Sequence, residues 1–542
     1  MNFRSRISSS SESYLQNRKD MISMVEQLRD YEKRAEALSE KRRERFHQRG
    51  QLTPRERLAQ LLDQGMPFLE IYNMANFLVE DPDPETSVPG ASNISGIGFI
   101  KGIRSMISVN DSGINAGATT TTSVTKALGC LKMANRQNLP FIQLVESAGA
   151  NLMNYTVELW AHGGGMFYGL AKLSAKGLPT VVVLHGPSTA GGAYQPGMSD
   201  YVIGVKKNGM AALGGAALVM AATGERADER ELGGTEMHAK TSGLVEFLAE
   251  DDAHGVAMAR DLIGRLDWNK GLNSCPVRQF EEPLYDPDEL AGVVPLNYRT
   301  PYDAREVVLR IADGSQFEEF KAGYGAATLC IQAGIHGFSC GIICNNGPID
   351  PDGATKAAQF LQLCDQSDLP LIFLNNTTGY MVGTEYEHDG MIKHGSKMIQ
   401  AVSNVRVPRI TLYIGASFGA GNYGMCGYAY EPDFLFSWPN AMTGVMGGEQ
   451  AALTMDHVAR NSAKRRGTEV DEEALKKQRE TITELFDRQH TAFYTSGRCL
   501  DHGIIDPRLD IRIRCIRFQK LYLERLVSTF LAYVVESANA NR

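Results

Sequence analysis

The sequence predicts an α/β fold in which one unit occurs twice in tandem, and three observations lead to this prediction. Segments of the first half recur in the same order in the second half, at offsets that drift only between 229 and 235 residues. Each copy contains short, continuous apolar and β-branched runs, which are typical of parallel strands buried on both faces. Between these runs lie segments with the mixed polar and apolar pattern of crossover helices.

The repeat rests on strand and turn positions that match pair by pair. In both copies a proline precedes a predicted strand, over 181–184 and over 410–413, and a glycine-rich turn follows it. Crossover helices are expected over 127–136 and 357–364. The matched pairs are Gly102 and Gly337, Leu139-Pro140 and Leu369-Pro370, Pro179 and Pro408, Gly186 and Gly415, Gly192 and Gly421, Tyr194 and Tyr423, Asp200 and Asp433, and Gly214-Gly215 and Gly447-Gly448.

The repeat also divides the chain into domains. We expect an N-terminal domain over residues 1–275, a linker over 276–301 and a C-terminal domain over 302–542. The linker is rich in Pro, Asp and Glu and has only weak periodicity. Near the N-terminus, apolar residues recur at spacings of three and four from Met21 to Tyr31, which predicts an amphipathic helix. The pattern leaves open whether this helix packs on its own domain or on another subunit.

Composition excludes several classes of protein. The 55 Lys and Arg residues against 63 Asp and Glu give a net charge of −8, which argues against a nucleic-acid binder. The nine cysteines form no CxxC pair, so neither a disulfide scaffold nor a zinc ribbon is expected, and a reducing compartment fits. No apolar run reaches the 18 residues of a membrane span, and the start of the chain lacks an apolar signal segment. We expect a cytoplasmic protein without nucleic-acid or membrane partners.

Glycine is in excess, at 54 of 542 residues or about 10%, against a usual share of about 7%. Two glycine-rich turns, over 186–194 and 415–423, follow the matched strands. Backbone N–H groups at the start of a helix lack intrahelical partners and can point at an oxyanion, if small residues let it approach. Such turns stabilise charge that develops on a thioester or urea oxygen. The alternative is close packing of helix on sheet, which also requires small residues.

Other candidate sites are weaker. Ser147 ends a predicted strand but lacks the G-x-S-x-G elbow of a nucleophile. The eleven histidines show no ligand spacing, so no metal site is expected in this subunit. His185, beside the first turn, is predicted to be a positioning or core histidine. A role as a base is the less favoured interpretation. A site made of backbone donors, without an acid–base pair, suits a reaction whose base arrives on a cofactor.

Several segments together resemble the carboxyltransferase (β) subunits of biotin-dependent acyl-CoA carboxylases. The stretch 378–387 (TGYMVGTEYE) is most similar to the branch that acts on methylcrotonyl-CoA and geranyl-CoA. This resemblance implies two tandem crotonase-like (ClpP/crotonase) domains that arose by internal duplication. The chain departs from the family at Ala148, where members usually have glycine. The segments that resemble the family are 50–58, 188–196, 221–225, 232–234, 376–383 and 418–423.

The resemblance also implies a division of roles between the copies. Gly191 and Gly192 would hold the enolate oxygen of the acyl-CoA, and Ala420 and Gly421 the ureido oxygen of carboxybiotin. The remaining residues that the resemblance assigns to the substrate site are Ala190, Gly163, Gly149 and Tyr194. Those that it assigns to the biotin site are Gly419, Phe418, Thr378 and Gly379.

The chain has no biotinyl-lysine motif and no recognisable ATP-binding loop. The resemblance therefore implies that biotin arrives as carboxybiotin on an α subunit that contains the biotin carboxylase and the biotin carboxyl carrier. It also implies active sites shared between the N-terminal domain of one subunit and the C-terminal domain of its partner, in a hexameric core of a hetero-dodecamer. The alternatives are the carboxyltransferase subunit of a biotin-dependent acyl-CoA decarboxylase, a propionyl- or acetyl-CoA carboxylase β subunit, a crotonase-type hydratase or isomerase, and a non-catalytic scaffold.

Three positions bear on the substrate. Methylcrotonyl enzymes are rich in aromatic residues where this chain has the glycine-rich run 162–168, so Gly163 predicts a wider acyl pocket and a longer branched chain such as geranyl. The alternative is that these glycines only loosen the start of a helix. Arg55 and Arg57 offer charge for the CoA nucleotide, although surface or subunit contacts are the favoured interpretation.

Overall fold

The computed structural model describes residues 3–150, 156–266, 268 and 279–508 and contains two mixed β-sheets flanked by helices. The strands of the first sheet are β1 Leu69–Ile71, β2 Asn93–Ile100, β3 Ile103–Asn110, β4 Phe141–Ser147, β5 Thr180–Thr189, β6 Tyr201–Val205, β7 Met210–Ala212 and β8 Phe247–Ala249. Those of the second are β9 Phe317–Glu319, β10 Thr328–Ile335, β11 Phe338–Asn345, β12 Leu371–Thr377, β13 Arg409–Phe418, β14 Phe434–Ser437 and β15 Met442–Gly444.

Helices connect and cover the strands. No helix within the described ranges is long and apolar enough to cross a membrane. The helices are α1 Glu12–Glu40, α2 Arg43–Gln48, α3 Pro54–Leu61, α4 Thr121–Arg136, α5 Val157–Ala175, α6 Tyr194–Gly197, α7 Ala216–Thr223, α8 Glu229–Gly233, α9 Thr235–Met237, α10 Asp252–Leu266, α11 Leu290–Val293, α12 Arg305–Leu309, α13 Pro351–Gln366, α14 Thr384–His388, α15 Met391–Asn404, α16 Gly419–Gly424, α17 Gly448–Arg466, α18 Glu472–His490 and α19 Ala492–Gly497.

The two sheets share one topology, except that the first has an additional edge strand, β8, beside β6. The first has the order β1-β2-β3-β4-β5-β6-β8 with β7 on the end of β5, and the second the order β9-β10-β11-β12-β13-β14 with β15 on the end of β13. In both, the first three strands are antiparallel and the following ones parallel. The pairing of β4 with β5 shifts register between Val145 and Ser147, and that of β12 with β13 shifts between Asn375 and Thr377. The predicted duplication and the parallel α/β fold are therefore confirmed.

Local sequence accounts for the matched elements. The run 181–184 in β5 is fully buried, as expected of a strand covered on both faces. The crossover helices α4 and α13 begin after equivalent caps, since the Thr120 side chain accepts from Ser123 N and the Asp350 side chain from Gly353 N. The hairpin turns that precede them are also alike, because Asp63 and Asp313 each accept two backbone N–H groups there.

The predicted amphipathic helix is α1, and its apolar stripe packs within the same chain. Leu28 and Tyr31 lie in an apolar cluster that contains Phe77 from the N-terminal copy and Leu435 and Phe493 from the C-terminal copy. The helix thus joins the two copies, which answers the question that its pattern left open.

Helix α1 also contacts the predicted linker. Leu290 and Val293 of α11 are buried, and the Tyr14 ring fills the space beside Gly292, where a Cβ would overlap it. The described part of the linker is therefore packed against α1. The domain boundaries themselves stay a prediction.

We predict that Leu28→Ala lowers the free energy of unfolding by about 2–4 kcal/mol, because it leaves a cavity in a cluster shared by both copies. Leu15→Ala is the matched control on the same helix, since that side chain is 53% exposed. Thermal and denaturant unfolding of both variants checks this, and equal losses would contradict the packing described for α1.

Candidate active site

The two glycine-rich turns adopt the same backbone shape. Strand β5 is followed by Ala190 and β13 by Gly419, whose φ angles are 54° and 56°. In both copies the chain then enters a helical turn, over Ala190–Ala193 and in α16. A non-glycine residue at positive φ is uncommon and costs of order 1 kcal/mol, so the fold around Ala190 must hold it there. The turn geometry is thus a built feature of each copy.

Small residues in the turns meet different surroundings. A Cβ on Gly191 would meet only Phe167 Cζ, at 3.6 Å, and one on Gly192 only Ser188 Oγ, at 3.1 Å. A Cβ on Gly421 would lie 2.8 Å from the Cα of Gly379, which is backbone and cannot turn away. Close packing therefore explains glycine at position 421. At 191 the space beside the turn is open, while at 192 the Ser188 hydroxyl restricts it.

A second strand end lies beside each turn. Gly149 follows β4 with φ 82°, and Gly379 follows β12 with φ 125°. The Ser147 hydroxyl accepts from Gly149 N at 3.2 Å and donates to Gly117 O at 2.6 Å, and Thr377 Oγ1 accepts from Gly379 N at 3.2 Å. Ser147 therefore has a structural role, as its lack of a nucleophile motif indicated. The residue between the strand end and the glycine is exposed in both copies: it is Ala148 in the first and Thr378 in the second.

Predicted substrate residues gather where α5 passes the first turn. The Phe167 ring lies 5.3 Å from the Tyr194 ring and next to Gly191. Gly163 is one turn earlier on the same face of α5, and a Cβ there would meet nothing within 4 Å. Since α5 begins at Val157, Gly163 lies inside the helix and not at its first turn.

A cavity lies between the first sheet and helices α4 and α5, close to this turn. Its walls are mixed in polarity, with Met166 and Leu170 of α5 on one side and Gln143 of β4 on another. Gln195, the neighbour of Tyr194, also lines it. The cavity therefore reaches the helix that follows the turn, at Gln195, although the turn residues 190–193 do not line it.

The predicted biotin-site residues are only partly accessible. Ala420 and Thr378 are exposed, while the side chain of Phe418 is buried between the rings of Tyr298 and His490, with centroids 5.3 Å away in both cases. Phe418 therefore supports the turn from behind. Tyr298 and His490 had no signal in the sequence, because they come from elements far from the turn.

The ion pairs behind the first turn were not predicted from the sequence. Arg57, favoured as a surface or subunit contact, is instead fully buried, which corrects that prediction. Its guanidinium pairs with Glu146 and Asp252, and His185 Nδ1 lies 2.9 Å from Asp252. Burial, together with the charge of Arg57, lowers the pKa of His185, so its imidazole is neutral at pH 7 and fits the predicted positioning or core role.

Comparison with known proteins decides the family. The model of the carboxyl transferase domain matches residues 45–532. The chain belongs to this family. Within the described residues, this carboxyltransferase has no group of three or more His, Cys, Asp or Glu side chains arranged to hold a metal ion.

Two relatives and one solved structure support the same family. The chain is 46% identical to a probable biotin-dependent acyl-coenzyme A carboxylase β2 subunit of Mycobacterium tuberculosis, over 86% of both chains. It is 41% identical to the mitochondrial methylcrotonoyl-CoA carboxylase β chain of Dictyostelium discoideum, over 93% of this chain and 85% of that one. The crystal structure of the P. aeruginosa geranyl-CoA carboxylase β subunit superposes with a TM-score of 0.89 at 44% identity, covering 99% and 97% of the chains. The predicted family, carboxyltransferase subunits of biotin-dependent acyl-CoA carboxylases, and its tandem crotonase-like fold are confirmed.

The glycines of the two turns should differ in their effect on stability. We predict that Gly421→Ala lowers the free energy of unfolding of this carboxyltransferase by about 1–3 kcal/mol, because the new Cβ must displace the backbone at Gly379. Gly191→Ala is the control and should change it by about 0.5 kcal/mol or less, since only an ordinary contact with Phe167 forms. Denaturant unfolding measures both, and equal destabilisation would contradict the difference in packing.

Proposed function

We propose that this carboxyltransferase moves the carboxyl group of carboxybiotin to a branched, unsaturated acyl-CoA, such as geranyl-CoA or 3-methylcrotonyl-CoA. The observation that carries the proposal is the pair of strand-to-helix turns, which have the same backbone shape and equivalent positions in the two copies. One turn serves each substrate. The crotonase-type hydratase or isomerase alternative lacks support, since the family model that matches the chain is that of the carboxyl transferase domain.

In the N-terminal copy, the backbone N–H groups of Gly191 and Gly192 are proposed to hold the thioester oxygen as it becomes an enolate. Donors fixed before the reaction stabilise developing charge without reorganisation. Open space beside Gly191 supports this role, since a carbonyl oxygen can reach the backbone there. Ala190 shapes the turn, and Gly149 and Tyr194 border the acyl-CoA.

In the C-terminal copy, the backbone at Ala420 and Gly421 is proposed to hold the ureido oxygen. The exposure of Ala420 and Thr378 supports this role. So does Gly419, because a Cβ there would lie 3.2 Å from Val445 O and narrow the space beside the turn. Bound carboxybiotin supplies the carboxyl group and the base. The backbone of Gly379 lines the proposed biotin site, and the buried ring of Phe418 supports the turn.

Assembly is part of the proposal. Large apolar side chains of both copies are exposed in the single chain, for example Trp160, which is 72% exposed, Leu218 and Val382. Large exposed apolar surfaces mark sites of protein contact. We propose a homo-oligomer, hexameric in its core, in which the N-terminal domain of one subunit faces the C-terminal domain of another, and an α subunit that brings biotin. A cytoplasmic location stays a prediction, because the D. discoideum relative is a mitochondrial chain.

The experiment that tests the function is transfer of labelled carboxylate. The purified chain, assembled with its biotin-carrying partner, is incubated with labelled bicarbonate, ATP and a panel of acyl-CoAs. We expect label in geranyl-CoA or 3-methylcrotonyl-CoA, and at least a hundredfold loss of rate in Gly192→Val, whose side chain blocks the turn. No transfer to any acyl-CoA would overturn the proposal, and CO2 release from a carboxylated acyl-CoA alone would favour the decarboxylase alternative.

The acyl chain is tested at Gly163. We predict that Gly163→Phe lowers kcat/KM for geranyl-CoA at least tenfold more than for 3-methylcrotonyl-CoA, because the ring fills the open space one turn from Phe167. Gly163→Ala is the matched control: it stiffens the helix without bulk and should leave the ratio unchanged. If Ala shifts the ratio as much as Phe, the glycine acts by loosening α5 and the pocket interpretation is wrong.

A further inference from the structure

The N-terminal copy contains a group of buried polar side chains that the proposed mechanism does not use. We call Gln51, Arg57, Glu146, His185 and Asp252 the buried ionic core. We propose that the Arg57–Glu146 ion pair in this core is a positioning device for the turn that holds the acyl-CoA oxygen. This inference rests on the proposed function and adds residues to it.

The ion pairs are short and shielded from solvent. Arg57 Nη1 donates to Glu146 Oε2 at 2.7 Å, and Arg57 Nε donates to Asp252 Oδ2 at 2.7 Å. The Arg57 side chain is completely buried, and both carboxylates are nearly so. Buried charges of this kind are costly to desolvate, so they persist only with good geometry or a function.

The core is bonded to the strand that leads into the turn. Gln51 Nε2 donates to the backbone oxygen of His185 in β5 at 3.0 Å. Leu52 N donates to Asp252 Oδ2 at 2.9 Å, which ties the same segment to α10. The segment 51–57 thus fixes β5 a few residues before Gly191.

Glu146 occupies the place where the pairing of β4 with β5 shifts register. Its side chain lies directly on β5 at Gly186, where a Cβ would overlap its methylene group. After the shift, Ser147 pairs with Ser188, at the entry to the turn. The position of Glu146 therefore sets how the end of β4, with Gly149, aligns with the turn after β5.

The C-terminal copy provides an internal comparison. Its register shift is at the equivalent place, and Asn376 lies over Gly415 as Glu146 lies over Gly186. Ile414 stands where the first copy has His185. The shifted pairing is therefore built with a neutral amide on the biotin side, so the charge at Glu146 is not required for the shape of the strands.

A small displacement of oriented donors reduces rate strongly, since about 1 Å can correspond to a hundredfold loss. Glu146→Gln keeps the size of the side chain and removes the ion pair. We expect kcat for acyl-CoA carboxylation to fall about tenfold or more. Affinity for an acyl-CoA should fall too, while affinity for an S-alkyl-CoA thioether, which has no carbonyl oxygen, should be unchanged. Release of CO2 from carboxybiotin without acyl-CoA should also be unchanged.

The experiment compares these four quantities for the assembled complex of the wild type and Glu146→Gln. Glu306→Gln is the matched control, because it breaks another buried ion pair, with Arg310 at 2.9 Å, outside both turns. Gln51→Met is the second variant, in case Glu146→Gln fails to fold. It removes the bond to β5 and should shift the same quantities in the same direction.

Equal loss of thioester and thioether binding, or an unchanged kcat, in Glu146→Gln would overturn the positioning role. The same split in Glu306→Gln would do so as well. A wild-type complex that carboxylates no acyl-CoA would instead overturn the proposed function. The two failures are therefore distinguishable.

Discussion

The pairing of two parallel strands, β4 with β5 and again β12 with β13, is the constraint on which the site depends. In each pair the register shifts near the carboxyl end, and the backbone that follows each of the two strands has a positive φ angle there. The carboxyl ends of adjacent parallel strands lie at the same edge of a sheet, so the shift brings Gly149 beside the Thr189 end of β5 and Gly379 beside Phe418. The helices, caps and clusters around the strands keep this edge in place.

Small residues at that edge satisfy two different demands. Gly421 is small because backbone lies against it, and Gly191 is small where the neighbouring space is open. Sequence reasoning treated close packing and access to an oxyanion as alternatives for the same turn. The structure separates them by position, since a turn that presents its backbone outward must also be packed tightly from within.

Much of the fold could be predicted from the sequence because its signals are local. The β-branched strand over 181–184, the prolines before the strands and the paired glycines each reflect backbone geometry within a few residues, and the repeat made them visible twice. The family resemblance supplied the roles of Gly191, Gly192, Ala420 and Gly421, which stay predictions. Arg57 and Asp252 were not predicted as partners, because they are separated by 195 residues and meet only when α3 packs beside α10. The packing of the linker and the burial of the Phe418 ring were not predicted either, because they also depend on contacts between residues that are far apart in the sequence.

The difference between the copies follows from what each turn must hold. A duplicated unit begins with identical demands, and here the shape of the turn is kept in both copies while the support behind it differs: Glu146 paired with Arg57 in one and Asn376 in the other. On the biotin side a neutral amide lies at the equivalent register shift. A buried ion pair adds stiffness, since separating the partners leaves an unpaired charge in the low-dielectric interior. The copy proposed to hold the enolate is the one with the stiffer support, and donors that are fixed before the reaction stabilise a developing charge without reorganisation.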